Sequence, residues 1–163
     1  MPLKKVDAGL IADLSEKAAQ APRRRHNLNF HTQNRDVFQR MLNALEPGSY
    51  VQPHKHENPD KDEVFVILKG RLTVISFGNN GEIEDFIILD AKGGQLAVEV
   101  PARTWHMIAA LEPATVVFEF KHGPYDPTTD KIFASWAPPE NHPDAEDYLT
   151  KILKKILESS STD

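Results

Sequence analysis

Hydrophobic and polar positions follow two different spacings along this chain. Near the N-terminus, apolar residues recur three or four positions apart and Pro22 follows them, which predicts a helix over residues 7–21 with Asp7 as its cap. The same spacing over residues 143–159 predicts an amphipathic C-terminal helix. Between the two, short apolar runs alternate with Gly, Pro, Asn and Asp, which is typical of strands and turns.

The short apolar runs predict eight strands. Residues 39–46 also fit helical spacing, but they lead through Pro47-Gly48 directly into the next run, which favours a strand. The GNNG sequence at residues 78–81 predicts a hairpin, because Asn and Gly tolerate a positive φ. Strands this short and evenly spaced indicate an all-β sandwich or barrel. The predicted strands are residues 39–46, 51–56, 63–69, 71–77, 84–89, 95–100, 105–111 and 115–121.

These elements divide one domain into three parts. Residues 1–38 hold the first helix and a polar, basic stretch, PRRRHNLNFHTQNRD, which has no sustained period and is expected to be an irregular arm. Residues 39–121 form the barrel. Residues 122–163 hold a loop rich in Pro and aromatic residues, followed by the second helix. We expect the apolar stripe of that helix to pack on the barrel, with a homodimer contact as the alternative.

Composition excludes several classes of function. The 163 residues contain no cysteine, so disulfides, thiolate ligands and cysteine nucleophiles are absent. A net charge of −5 argues against nucleic acid as a partner. The sequence shows neither the apolar core of a signal peptide nor an apolar run near the ~20 residues that a membrane helix needs. We therefore expect a soluble cytoplasmic protein without a membrane partner.

Two histidines lie two residues apart just before an apolar run, in QPHKH. In a strand, positions i and i+2 face the same side, so His54 and His56 project together. Glu63 begins the next predicted strand, on the face that also carries Phe65 and Ile67. His106, at the start of another apolar run, is the candidate fourth ligand. Imidazoles with one carboxylate suit one divalent Fe, Mn, Ni, Co or Zn ion better than Ca²⁺ or Mg²⁺.

The same residues resemble the two motifs of the cupin superfamily. The first motif corresponds to Gly48-x5-His54-x-His56 with Glu63-x6-Gly70, and the second to GGQLAVEVPARTWH. Six residues separate His56 from Glu63 where three or four are usual, so Asp60 or Asp62 is an alternative ligand. Arg103 also occupies a position where the second motif has glycine.

A longer stretch, from about residue 24 to 138, resembles the WbuC-like cupin fold metalloproteins found among polysaccharide biosynthesis genes. The matching segments include RRHNLNFH, QRMLNALEPGSYVQPHKH and ALEPATVVFEFKHGPYDPTTDKIFASWAP. The resemblance implies a cupin double-stranded β-helix, which is a jelly-roll barrel, with one divalent metal. It implies no particular reaction.

Binding of a small-molecule ligand requires side chains around the barrel mouth that contact it. The basic arm could present arginines to a phosphate or carboxylate, which makes the ligand an anion in this hypothesis. The aromatic loop that contains Lys131 and Trp136 is either core cover or a lid that touches the substrate. The predicted substrate-binding residues are Arg24, Arg25, His31, Tyr50, Gln52 and Tyr125.

Two functions are consistent with these features. The first is a metal-dependent enzyme that isomerises, epimerises or oxygenates a small polar molecule such as a sugar or nucleotide sugar. His31, Glu119 or Tyr50 beside the metal would favour it, since catalysis needs an acid or base within reach. The second is a non-catalytic cupin that binds a sugar or regulates. The sequence leaves the catalytic residues, the metal and the oligomeric state open.

Overall fold

The computed structural model describes residues 2–160. In this part of the chain, two helices flank ten strands. In chain order they are α1 (Ala8–Gln20), β1 (Arg25–Asn29), β2 (Phe38–Leu45), β3 (His54–Lys55), β4 (Glu63–Lys69), β5 (Arg71–Phe77), β6 (Ile83–Asp90), β7 (Ala97–Val100), β8 (Trp105–Ala110), β9 (Thr115–His122), β10 (Ile132–Phe133) and α2 (Ala145–Ser160).

The strands form two antiparallel five-stranded sheets. Sheet A has the order β1-β2-β9-β4-β7, and sheet B has the order β10-β3-β8-β5-β6. Consecutive strands β4 and β5 lie in different sheets and are joined at Gly70, whose φ of 74° requires the left-handed region. The two sheets enclose one core, so the predicted all-β jelly-roll barrel with a helix at each end is confirmed.

Side chains alternate between the inside and the outside of this barrel, as the period of a strand requires. Phe65 and Ile67 of β4 lie inside, and Ile108 of β8 faces them from the other sheet. The interior is apolar at one end of the barrel and polar at the other. The buried residues of the apolar end are Leu45, Phe65, Ile67, Leu72, Val74, Leu89, Val100, Ile108, Ala110 and Val117.

The helices cover the outer faces of the sheets. Helix α1 begins at the predicted cap, where the Asp7 carboxylate accepts from the Leu10 backbone N–H at 3.0 Å, and its Leu14 packs on sheet A. Helix α2 packs on sheet B through Leu149, Ile152 and Ile156. The apolar stripe of α2 is therefore largely occupied by the barrel itself.

Three segments differ from the sequence expectations. The stretch predicted to be an irregular arm contains strand β1, which pairs with β2 from Arg25↔Leu45 to Asn29↔Met41. Its side chains are mostly exposed at a sheet edge, so no apolar period marks it. The predicted strand over residues 51–56 is regular only at β3, and β10 was not predicted.

Candidate metal centre

Four predicted ligands meet at the polar end of the barrel interior. His54 of β3 pairs with His106 of β8 in sheet B, and His56 follows β3 directly. Glu63 is the first residue of β4 in sheet A, so it faces the histidines across the barrel. One donor atom from each of the four residues lies within 4.8 Å of all the others, and such a group could hold a metal ion.

The donor atoms of this cluster are buried and close together. The four residues are only 2–3 % exposed. His56 Nε2 lies 2.8 Å from Glu63 Oε1, and His106 Nε2 lies 3.1 Å from Glu63 Oε2. The His54 and His106 rings lie 4.5 Å apart, centroid to centroid. Water is therefore largely excluded from the point where the four side chains meet.

Backbone carbonyls orient all three imidazoles. His54 Nδ1 donates to Gln52 O at 2.9 Å, His106 Nδ1 donates to Thr104 O at 2.9 Å, and His56 Nδ1 donates to Asp130 O. A carbonyl oxygen can only accept, so each Nδ1 carries a proton. In a neutral ring the lone pair is then on Nε2, and a hydrogen bond to the other nitrogen is the usual second contact of a metal-binding histidine.

The surroundings of the cluster hold His54 and Glu63 in the unprotonated forms that a metal ion requires. Burial, and then the nearby Lys131 and His106, hold the pKa of His54 well below its ordinary value, so this ring is neutral at neutral pH. Burial alone would raise the pKa of Glu63, but contacts with His106 and His56 and the Lys121 charge outweigh it and lower that pKa strongly. The buried His56 Nε2 lies 2.8 Å from Glu63 Oε1 but makes no hydrogen bond of acceptable geometry in the described structure. A carboxylate and imidazole lone pairs thus converge, which is the donor set of divalent transition metals.

The two alternative carboxylates of the long loop point elsewhere. Both Asp60 oxygens accept from Arg103 Nε at 2.9–3.0 Å on the surface, and Asp62 Oδ1 accepts from the Ala102 backbone N–H. Arg103 has a φ of 67°, which explains why glycine is typical at that motif position. The Arg103 backbone N–H also donates to His56 O at 2.9 Å, which ties the two motifs together.

A buried charge network surrounds the cluster. Asp130 Oδ1 accepts from Lys61 Nζ at 2.6 Å, and Asp130 Oδ2 accepts from Lys121 Nζ at 2.9 Å. Lys121 Nζ also lies 3.3 Å from Glu63 Oε1 and 3.9 Å from Glu119 Oε1. Burial alone would lower the pKa of Lys121, but these carboxylates outweigh it and raise that pKa. Lys121 is therefore a cation held against the Glu63 side of the cluster.

An adjoining cavity of about 590 Å³ contains Lys121 in its wall. Four predicted substrate-binding residues line it: Arg25, His31, Gln52 and Tyr125. Glu119, which accepts from Asn43 Nδ2, lines it too. Burial, and then the Glu63 charge, raise the pKa of Glu119. The wall is rich in amides, which can both donate to and accept from hydroxyl groups. These amide residues are Asn27, Asn29, Asn34, Gln39, Asn43 and Gln52.

Two predicted substrate-binding residues lie elsewhere. Tyr50 packs among the residues under α2, and its hydroxyl donates to Pro138 O at 2.8 Å. The chain before His54 is not a regular strand, so the two-residue period does not carry Tyr50 to the inside. Arg24 is exposed, has a φ of 54° and lies beside Gly48.

Two arginines of the basic arm share one carboxylate within the chain. Arg25 forms an ion pair with Glu140 and donates to Tyr50 O at 3.0 Å, and Arg23 Nη2 lies 2.7 Å from Glu140 Oε2. Arg25 thus borders the cavity with its charge already matched. Its main contacts hold the chain after β10 against β1.

Sequence reasoning missed Lys61, Lys121 and Asp130 as residues of this centre. The sequence contained one indication for Lys121. It occupies an alternate position of β9 with Glu119 and Val117, which places all three side chains on the inner face. No periodic signal exists for Asp130, because it lies in an irregular loop and reaches the site only through tertiary contacts.

One family model and several solved structures match this chain. A family model described as Domain of unknown function (DUF6016) matches residues 6–89. No curated protein sequence matches the chain. Within residues 2–160, neither helix is long and apolar enough to cross a membrane.

Among solved structures, the chain is similar to the capsular polysaccharide assembling protein CapF from Staphylococcus aureus, with 23% identity and a TM-score of 0.55. That match covers 66% of this chain and only 31% of CapF. L-ribose isomerase from Cellulomonas parahominis matches with 15% identity over 68% of this chain and 69% of its own, with a TM-score of 0.54. Protein SO0799 from Shewanella oneidensis matches with 14% identity over 66% and 72% of the two chains, with a TM-score of 0.50. Identities this low show the fold alone, which is that of the cupins.

Proposed function

This chain belongs to the family described as Domain of unknown function (DUF6016), and we propose that it is a metal-dependent, WbuC-like cupin of polysaccharide biosynthesis. In this proposal it acts in the cytoplasm on a small polar molecule, a sugar or a nucleotide sugar. The observation that carries the proposal is the buried cluster of His54, His56, Glu63 and His106, whose donor atoms lie within 4.8 Å of one another. These four residues would hold one divalent Fe, Mn, Ni, Co or Zn ion.

The residues around the cluster suit chemistry on a sugar. A bound divalent ion would polarise a carbonyl or hydroxyl oxygen of the substrate. Glu119 faces the cavity next to Lys121, and its raised pKa suits a group that exchanges a proton with the substrate. The amide-rich wall would hydrogen-bond the hydroxyls, while Tyr125 and Phe133 offer exposed rings at the cavity. We therefore favour an isomerase or epimerase reaction over an oxygenation.

Two of the similar structures support this substrate class. CapF is described as assembling a capsular polysaccharide, and L-ribose isomerase is named for a sugar. Both support the proposal through the fold only, because their identities to this chain are 23% and 15%.

A second candidate is a non-catalytic sugar-binding or regulatory cupin. It is favoured by one observation: among the described residues that line the cavity, none is one of the four metal-site side chains. Lys121 lies between them, with its Nζ 3.3 Å from Glu63 Oε1. In this alternative the metal stabilises the barrel and the sugar binds without reacting.

Metal content tests the proposal first. Elemental analysis of protein purified without added metal should find about one divalent ion per chain. A ligand that binds only the native state adds RT ln(1 + [L]/Kd), about 2.7 kcal/mol at a hundredfold excess over Kd. Chelation should therefore lower the melting temperature by several degrees, and the same ion should restore it. A metal-free protein with an unchanged melting temperature would reject the metal-dependent function.

Ligand variants locate the ion. His54→Ala, His56→Ala and His106→Ala should each cut metal content sharply, as should Glu63→Gln. The matched controls are Asp60→Asn and Asp62→Asn, which change carboxylates that already pair on the surface. Loss of metal in Asp60→Asn but not in Glu63→Gln would place the fourth ligand in the loop instead.

A substrate screen separates the two candidates. The metal-loaded protein is tested for thermal stabilisation by sugars and nucleotide sugars, and each stabilising compound is then followed by NMR for conversion. Conversion that Glu119→Gln abolishes, without loss of metal, supports the enzyme. Binding without conversion supports the second candidate. Sedimentation of the same samples tests the alternative that the chain forms a homodimer.

A further inference from the structure

Lys131 lies beside the candidate metal centre, on the segment that enters β10. Strand β10 pairs with β3, with Phe133 opposite His54 and Ile132 opposite Lys55. Lys131 directly precedes strand β10, and Phe133 is its second residue. Both residues line the 590 Å³ cavity. The ammonium group of Lys131 is therefore at the boundary between the cavity and the histidine cluster.

Among the described residues, each lysine or arginine of the cavity wall other than Lys131 lies in an ion pair. Arg23 and Arg25 pair with Glu140, and Lys121 pairs with Glu63 and Asp130. Within residues 2–160, the Lys131 side chain forms no hydrogen bond and no ion pair. It is nevertheless not freely solvated, because its side chain is only partly exposed.

The surroundings of Lys131 act on its charge in opposite directions. Burial, and then repulsion from Lys121, lower the pKa of Lys131, and the carboxylates of Glu63, Glu119 and Asp130 offset this only in part. A partly buried cation without a partner is costly, and an anionic ligand group would remove that cost. The cavity thus has one cationic position that the protein itself leaves without a partner.

We propose that Lys131 binds an oxyanion of the ligand, a carboxylate or a phosphate, while the rest of the ligand reaches toward the metal centre. This rests on the proposed function and narrows its substrate class to anionic sugars, namely sugar acids or sugar phosphates. The charged contact is therefore assigned to Lys131 and not to Arg24 or Arg25, which sequence reasoning favoured. Arg24 lies away from the cavity, and Arg25 already pairs with Glu140.

Three variants of the metal-loaded protein test the proposal. Lys131→Met removes the charge at nearly constant length, and Lys131→Arg keeps it. Lys151→Met is the matched control, since Lys151 is exposed on α2. Titration calorimetry with glucuronate, glucose 6-phosphate and neutral glucose then measures binding. The wild type should bind at least one anionic probe more tightly than glucose. Lys131→Met should weaken that probe about tenfold or more, as loss of a charged hydrogen bond does.

The remaining measurements fix the interpretation. Lys131→Arg and Lys151→Met should bind the anionic probe nearly as the wild type does, and metal content should be equal in all four proteins. The probe that loses affinity in Lys131→Met identifies a carboxylate or a phosphate. Equal affinity of Lys131→Met and the wild type for both anions overturns the proposal, as does a wild type that prefers neither anion to glucose. If the protein contains no metal but its affinity for the anion still depends on Lys131, the proposed metal function is rejected and the assignment of the anion site to Lys131 is retained.

Discussion

At the scale of single residues, the geometry of the candidate centre depends on groups that are not themselves predicted metal ligands. Each histidine is oriented by one backbone carbonyl, and one of those carbonyls belongs to Asp130. The Asp130 carboxylate also separates the ammonium groups of Lys61 and Lys121. One loop residue thus positions His56 through its backbone and balances two buried charges through its side chain.

The first prediction concerns this carboxylate. Asp130→Asn leaves the buried Lys61 without a carboxylate partner and removes one of the carboxylates around Lys121, so the free energy of unfolding should fall by about 3–5 kcal/mol, as when one member of a buried ion pair is removed. Urea unfolding of the metal-free proteins measures it. Asp126→Asn is the control in the same loop, because Asp126 is exposed and, among the described residues, its carboxylate accepts hydrogen bonds from Thr128 alone. Equal losses in the two variants would contradict the role given to Asp130.

At the scale of elements, tertiary contacts determine two strands and the position of α2. Strands β1 and β10 are short and exposed, and each exists because its backbone pairs with a neighbour. Helix α2 is strongly amphipathic and packs through its predicted stripe. Tyr148 lies at the edge of that stripe, and its buried hydroxyl has no hydrogen-bond partner in the described structure.

The second prediction follows from Tyr148. Burial raises the pKa of its hydroxyl from the ordinary 10.0 to about 12. As pH rises through this window, the unfolded chain loses the proton before the folded one does, so the stability of the fold falls. Tyr148→Phe should weaken this alkaline loss and leave stability at neutral pH equal or slightly higher, because a buried unpaired hydroxyl is removed.

Urea unfolding on either side of the same pH window measures the effect of Tyr148→Phe. Tyr125→Phe is the control, since Tyr125 is 39% exposed at the cavity. An alkaline loss of stability that Tyr148→Phe leaves unchanged would show that the Tyr148 hydroxyl is not its source.

At the scale of the whole molecule, the segment after β10 is held by contacts with the chain around the start of β1 and with the chain before β3. Glu140 pairs with Arg23 and Arg25 near β1, and the Tyr50 hydroxyl bonds Pro138 O. Gln52 Nε2 donates to Ala134 O at 3.2 Å. The loop rich in Pro and aromatic residues is therefore part of the barrel wall and positions Lys131 and Phe133 over the cavity.

The third prediction concerns this closure. Glu140→Gln leaves the Arg25 side chain, which is only 17% exposed, without its carboxylate, so the free energy of unfolding should fall by about 1–3 kcal/mol. In Glu140→Gln, the rate of hydrogen exchange should rise above that of the wild type in residues 134–144, and this rise should be larger than in the rest of the fold. Glu99→Gln, on the exposed part of β7, is the control and should change stability by less than about 0.5 kcal/mol. Unchanged exchange in Glu140→Gln would show that other contacts hold the segment.

Local periodicity predicted the strands of the barrel and the inner-face position of Glu63, whereas the meeting of the four polar residues depends on how the strands pair. Strands β4 and β5 have the predicted bounds, and alternation alone placed Glu63 on the inner face with Phe65. His54 and His106 meet because β3 and β8 pair directly, and His56 follows β3. That these four residues bind a metal stays a prediction.

The positions of the residues around the centre could not be predicted from periodicity. Tyr50 failed the parity rule because its segment is not a strand, and the charge of Arg25 is matched by Glu140, which is distant in sequence. Asp130 and Lys131 lie in an irregular loop, where position depends on long-range contacts and no period relates neighbours. Periodic side chains obey the geometry of their own strand, whereas the partner of a buried charge depends on which segments the fold brings together.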